Sequence, residues 1–325
     1  PLLVTLSHER IMDTVGTYQG GFGPAIIRSS GGLPKSAYRQ ILMLNQIGKT
    51  PDVVTFWLGA NDVLGFATTG GTSPTSPTPA GTFAFLYKEA LDTLRKALPN
   101  AKIMVATIPD VRAIPFFNTV GPKIAASLPA GVYLRYQKHG NTGPSFDSTR
   151  LTESGAPLVT LKAGSYAALL KDTSITSRGQ WYRDLATSLG VSVAAVIGAG
   201  IDTTKYFGLD PRNPLPDALM LDASEQTTTI NFVNEFNATI QSVAASDKAD
   251  VFDAYTFFNG VKANGYSIAG EKYTADYISG GLFSLDGVHP SSRGNAIVAN
   301  EFIKIMNSKY GMSVPYVDLS RIPGI

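Results

Sequence analysis

The chain has 325 residues, of which 44% are apolar and 16% charged, with a formal net charge of +2; that is enough apolar material for a sizeable core and too little charge for a disordered chain. No basic run or basic-aromatic block marks a nucleic-acid surface, and no apolar stretch reaches the length of a bilayer. With no cysteine, disulfides, thiolate metal ligands and a cysteine nucleophile are excluded.

Taken in chain order, Leu2 to Ser7 is a strand-like run ending in serine, and Arg28-Ser29-Ser30-Gly31-Gly32 is a short polar, glycine-rich stretch. Pro51 to Leu58 is apolar and rich in β-branched and aromatic residues, which predicts a buried strand. It runs straight into Gly59-Ala60-Asn61-Asp62, where glycine permits a sharp turn and Asn61 is presented at the carboxyl edge of the sheet. A loop from Thr68 to Pro79 leads to a predicted helix that places Phe83, Tyr87, Ala90, Leu91, Leu94 and Leu98 on one face. Lys102 to Ile108 is the next strand, ending at Pro109-Asp110. Strand, helix and strand in succession imply parallel pairing through a right-handed crossover.

Between Val111 and Glu225 the periodicity breaks down into short apolar runs with scattered proline and glycine. This is far longer than an ordinary connection of about 2 to 6 residues, so the reading is an inserted subdomain that leaves the carboxyl edge of the sheet as a lid or substrate wall. The expected division is 1–111 and 226–325 for the two parts of one α/β domain, and 112–225 for the insertion. A helix from about Thr227 to Ala245 follows, then a strand expected over Asp250 to Phe258, and a terminal helix over Gly294 to Tyr310. The Asn237-Ala238-Thr239 sequon falls inside that first helix.

Asp286-Gly287-Val288-His289 lies at the junction before the terminal helix. A histidine acting as general base needs its other ring nitrogen held by an acceptor, and a carboxylate three residues away can fix the tautomer and stabilise the imidazolium. The plainer reading is that Asp286 and Ser291 cap the helix, with His289 a loop residue. Asn61, a neutral amide at the sheet edge, suits donation to a developing oxyanion. The three histidines, His8, His139 and His289, show no metal-ligand spacing, and neither a metal nor another cofactor is expected.

Gly59 to Asp62 and Asp286 to Pro290 match, in order and separation, the G-x-N-D and D-x-x-H-P blocks of the SGNH, or GDSL, hydrolases. The chain resembles that family over about Gly21 to Arg112 and from about Gln226 to the end. The surrounding segments look like long members found among cell-envelope lipoproteins of Bacteroidetes. The resemblance implies a flavodoxin-like three-layer α/β sandwich with a central parallel sheet and a large insertion. It also implies a serine esterase or lipase-like hydrolase, in which His289 is the base, Asp286 orients it, and Asn61 and the Gly32 N–H form the oxyanion hole. The substrate would be an acyl or carbohydrate ester, handled through an acyl-enzyme.

The family's first block, a strand running into G-D-S, is absent ahead of Gly32, and Gly32 itself lacks the usual leading asparagine. Three readings stay open: a nucleophile upstream of Pro1, Ser7 as a degenerate nucleophile, or a non-catalytic homologue. The first expects an incomplete sheet beside the Asn61 strand. The third would be a glycan- or lipid-binding envelope lipoprotein, with Phe116, Phe117, Tyr133 and Tyr136 stacking on sugar or lipid. The expected location is the bacterial envelope, as an outer-membrane lipoprotein or in the periplasm, or outside the cell. Any membrane anchor would be a lipidated cysteine ahead of Pro1.

Overall fold

The computed structural model describes residues 3–7, 46–73, 76–138, 146–268 and 270–324, with the backbone alone for 3–7 and 146–147. Four strands, Leu3–Ser7, Val53–Trp57, Lys102–Ala106 and Asp250–Phe252, lie side by side in chain order. All neighbours pair in parallel, with Ser7 opposite Trp57, Phe56 opposite Val105, and Ala106 opposite Phe252. The carboxyl ends of the strands therefore share one edge, and the loops that carry chemistry leave from it. Val53, Val54, Thr55 and Phe56 are all buried, as expected for a strand covered on both faces.

Helices Ala80–Ala97 and Ala223–Ser246 cover one face. The first buries Phe83, Tyr87, Ala90, Leu91 and Leu94, the stripe its periodicity predicts. Phe56 meets Tyr87 edge-on at 5.2 Å, and Phe83 stacks on Phe236 at 4.0 Å. The second helix begins a turn earlier than its apolar pattern suggests, because Asp222 and Glu225 form a reciprocal capping box.

On the other face, Phe302 of helix Ser292–Tyr310 packs on Phe252 at 5.2 Å, and Phe258 packs on Trp57. These layers make the flavodoxin-like α/β sandwich. Among the described residues no helix is long and apolar enough to cross a membrane.

The stretch Asp250 to Phe258, expected to be one strand, is a three-residue strand followed by helix Ala254–Asn264. Asp253 makes the break: its carboxylate accepts the backbone N–H of Thr256 and caps the helix. Asn237, the sequon residue, is buried. Its amide accepts from Ile108 N–H at 2.7 Å and donates to Ile108 C=O at 2.9 Å, satisfying the backbone where the Lys102–Ala106 strand has run out of partners.

Much of the stretch between the Lys102 strand and Glu225 packs around a second apolar cluster that includes Ile124, Leu134, Val159, Leu170, Phe207 and Leu215. Its outgoing and returning segments meet where Leu158–Val159 pairs antiparallel with Met220–Leu221. Phe116, Phe117 and Tyr136 are buried in the described core, so they are not the stacking platforms that the binding reading offered. Tyr133 is exposed, and the Arg150 guanidinium covers its ring at 4.7 Å.

Candidate active site

Gly59 ends the Val53 strand at φ +116° and precedes helix Ala60–Thr68. A Cβ there would stand 2.7 Å from Ile108 Cδ1 and 3.0 Å from the Phe83 ring, so both the dihedral and the space demand glycine. The turn delivers Asn61 into a pocket at the sheet edge, with the amino end of its helix alongside, a setting that favours negative charge.

Asp62, two residues past the first glycine neighbour, faces inward and is fully buried. Its carboxylate accepts the Thr78 hydroxyl at 2.6 Å, while its carbonyl accepts Thr78 N–H at 2.9 Å and the Ser76 hydroxyl at 3.1 Å. Asp62 thus ties the loop that follows the helix back to the helix's start and so fixes where Asn61 stands.

Across the pocket, residues 282 to 291 fold back on themselves: Ser284 N–H donates to His289 C=O at 2.8 Å, and Ser291 N–H to Leu282 C=O at 2.9 Å. Ser291 caps the terminal helix through the N–H of Gly294. Asp286 does not cap it. Its Oδ2 lies 2.6 Å from His289 Nδ1, and its Oδ1 accepts the Ser284 hydroxyl and the N–H groups of Val288 and His289 at 2.7 to 2.9 Å.

Burial alone would raise this carboxyl. The His289 ring, the Ser284 hydroxyl and the two backbone donors outweigh it and hold the group well below the usual carboxylate range. An ionised carboxylate only accepts hydrogen bonds, so Nδ1 carries the proton of the short contact, and a proton taken up by the ring goes to Nε2.

Gly287 has φ +70°, and its carbonyl accepts Phe116 N–H at 2.9 Å. A Cβ there would lie 3.2 Å from both Leu161 Cδ2 and Phe116 N. Phe116 therefore braces the loop that carries Asp286 and His289.

Asn61 and His289 line the same pocket, which encloses about 790 Å³ of empty space, part of it open to solvent. The model of the family described as GDSL-like Lipase/Acylhydrolase matches residues 17–156 and 174–302. The chain belongs to the GDSL-like lipase/acylhydrolase family. Both blocks that line this GDSL pocket lie inside the matched segments, while Ser7 lies ahead of them. No curated protein and no solved structure matches the chain.

The remaining residues named from the GDSL pattern are placed less fully. Gly32 lies outside the described residues, as do His8 and His139. Ser7 is described by its backbone, at the carboxyl end of the strand beside Val53–Trp57 and opposite Trp57, a residue of the pocket wall. All five residues of Leu3–Ser7 pair with that strand, so the sheet position beside it is occupied.

The sequence reading missed the Ser284 hydroxyl and the brace at Phe116. Ser284 stands two residues ahead of Asp286, a spacing at which serine and aspartate share local turns, and this was its one available signal.

Proposed function

We propose that the chain is a metal-independent serine-type ester hydrolase that works through an acyl-enzyme. His289, oriented by Asp286, takes the proton of the Ser7 hydroxyl through Nε2 as the oxygen attacks the ester carbonyl. Asn61, the Gly32 N–H and the serine's own N–H hold the oxyanion. His289 then protonates the departing alcohol, and water activated by the same nitrogen releases the acid.

The observation that carries this reading is the Nδ1 to Oδ2 contact of 2.6 Å in a loop whose histidine shares one pocket with Asn61. Ser7 is chosen because its strand ends at the same edge, next to the Asn61 strand, and it precedes Asn61 and His289 in the order the family's blocks require. The 112–225 stretch is read as a subdomain whose root, through Ile114, supplies part of the substrate wall. The placement in the bacterial envelope or outside the cell, with anchoring through a lipidated cysteine, rests on the resemblance of the flanking segments alone.

The test is steady-state hydrolysis of p-nitrophenyl butyrate by the full-length protein. Ser7→Ala and His289→Ala should each abolish nearly all turnover, and a chelator should leave the wild-type rate unchanged. An inert wild type over a broad ester panel, or loss of activity on chelation, contradicts the reading.

A further inference from the structure

The wall of the pocket is chemically one-sided. Asn61, His289 and Asn295 are its polar side chains among the described residues, whereas Trp57, Leu64, Val111, Ile114, Phe258 and Phe283 make up much of the rest. The Asn295 amide nitrogen is committed to the start of its own helix, donating to the carbonyls of Pro290 and Ser291 at 3.2 and 3.1 Å. A sugar placed among the apolar side chains would strip water from its hydroxyls without replacing the hydrogen bonds, which is strongly unfavourable. An aliphatic chain loses nothing there.

The apolar side is also preformed. The Trp57 indole N–H donates to Thr107 C=O at 3.1 Å, which fixes the ring. Phe258 stacks on it at 6.3 Å with 26° between the planes, and Phe283 follows at 6.0 Å from Phe258. Phe258, Phe283, Val111 and Ile114 are buried, so the wall is anchored in the core and keeps its shape without a ligand. On the other side, the His289 and Asp286 side chains are 50% and 49% exposed, which among the described residues leaves room for an alcohol portion of any polarity.

We propose that this pocket holds the acyl group of the ester, and that the acyl group is an aliphatic chain longer than acetyl. The assignment of the acyl rather than the alcohol portion rests on the catalytic reading above. On this account Leu64, on the helix behind Asn61, and Ile114, at the root of the insertion, set how long a chain fits. A glycan enters only as the alcohol, outside the apolar wall.

Two measurements test this. The first is kcat/KM over the p-nitrophenyl acetate, butyrate, hexanoate and octanoate series, and over a matched series of acetate esters with lengthening alcohols. Activity should climb by about fourfold per acyl methylene until the pocket is full, and should be nearly flat along the alcohol series. Leu64→Phe should lower the hexanoate-to-acetate ratio, and Ile114→Ala should move the optimum to a longer chain. A flat or falling acyl series, or variants that shift the alcohol series instead, overturns the proposal.

The second measurement is independent of turnover. In a Trp181→Phe background, which leaves Trp57 as the fluorophore, hexanoate and octanoate should perturb emission at concentrations well below those needed with acetate. Equal responses to all three acids overturn the apolar-chain assignment even if esters are hydrolysed. A chain-length response in a protein inert towards every ester would instead remove the catalytic reading and leave the pocket's preference standing.

Discussion

Two aspartates, one in each family block, meet opposite fates on either side of the pocket. Asp62 is sealed in the core and spends its hydrogen bonds on Thr78, holding a loop to the helix that presents Asn61. Asp286 is half exposed and spends its bonds on His289, Ser284 and two backbone N–H groups. Asp62 lies in the first turn of helix Ala60–Thr68 and Asp286 in the loop ahead of helix Ser292–Tyr310, and both stand beside a glycine-bearing block, so local sequence does not tell them apart. Burial does: the inward carboxylate is part of the scaffold, and the outward one sets the state of the imidazole.

The largest expected effect separates the two directly. Asp286→Asn should cost on the order of 10³ to 10⁴ in kcat, because an amide can present its NH₂ to Nδ1 and favour the wrong tautomer, while the thermal midpoint stays near that of the wild type. Asn61→Ala should lower kcat by about 10²- to 10³-fold with little change in KM. A comparable rise in KM would show that Asn61 binds the ground state rather than the oxyanion.

Asp62→Ala should instead appear in stability. Removing one partner of a buried hydrogen bond costs about 1 to 3 kcal/mol, read as a lower urea midpoint. A purely kinetic defect would place Asp62 in the chemistry and erase the contrast. Gly287→Ala sits between the two, since the left-handed backbone costs about 1 to 2 kcal/mol for a residue with a Cβ and the Phe116 brace is strained at the same time. Both the midpoint and kcat should fall.

The smallest effect concerns acids away from the pocket. Burial raises Glu225 to about 8, with the charges of Asp217 and Asp222 adding to it against a lowering hydrogen bond from Asp222 N–H, and burial with the charge of Asp222 raises Asp217 to about 7. The folded chain binds more protons here than the unfolded chain does. This contribution to stability is complete below the ordinary carboxyl range and is lost as pH rises through about 7 to 8. Asp286 has the opposite sign: its contribution is present above the ordinary range and disappears only in strong acid. Thermal midpoints recorded from pH 5 to 9 should therefore decline less steeply for Glu225→Gln than for the wild type.

What the sequence disclosed follows the same division between scaffold and site. Gly59 to Asp62 and Asp286 to Pro290 were legible because a strand, a glycine and polar residues at fixed spacing constrain one another. The helix bearing Phe83 and Leu94 was legible from its period. The helix at Ala254 was hidden, since Val251 to Phe258 is apolar almost throughout and Asp253 alone marks the change from strand to helix. The aromatic residues Phe116, Phe117, Tyr133 and Tyr136 were ambiguous because residue type does not reveal whether a side chain faces a core or solvent. The sequon at Asn237 carried no signal of a role, and only its position opposite Ile108, fixed by a crossover of more than a hundred residues, makes it a buried backbone clamp.

The central claim is that His289 activates a serine at the end of the first strand. Mass spectrometry of protein acid-quenched during turnover of p-nitrophenyl butyrate tests it most directly. The account predicts a butyryl adduct on the peptide containing Ser7, absent in His289→Ala. Turnover with no adduct on any serine, or with the adduct on another residue such as Ser284, would contradict it.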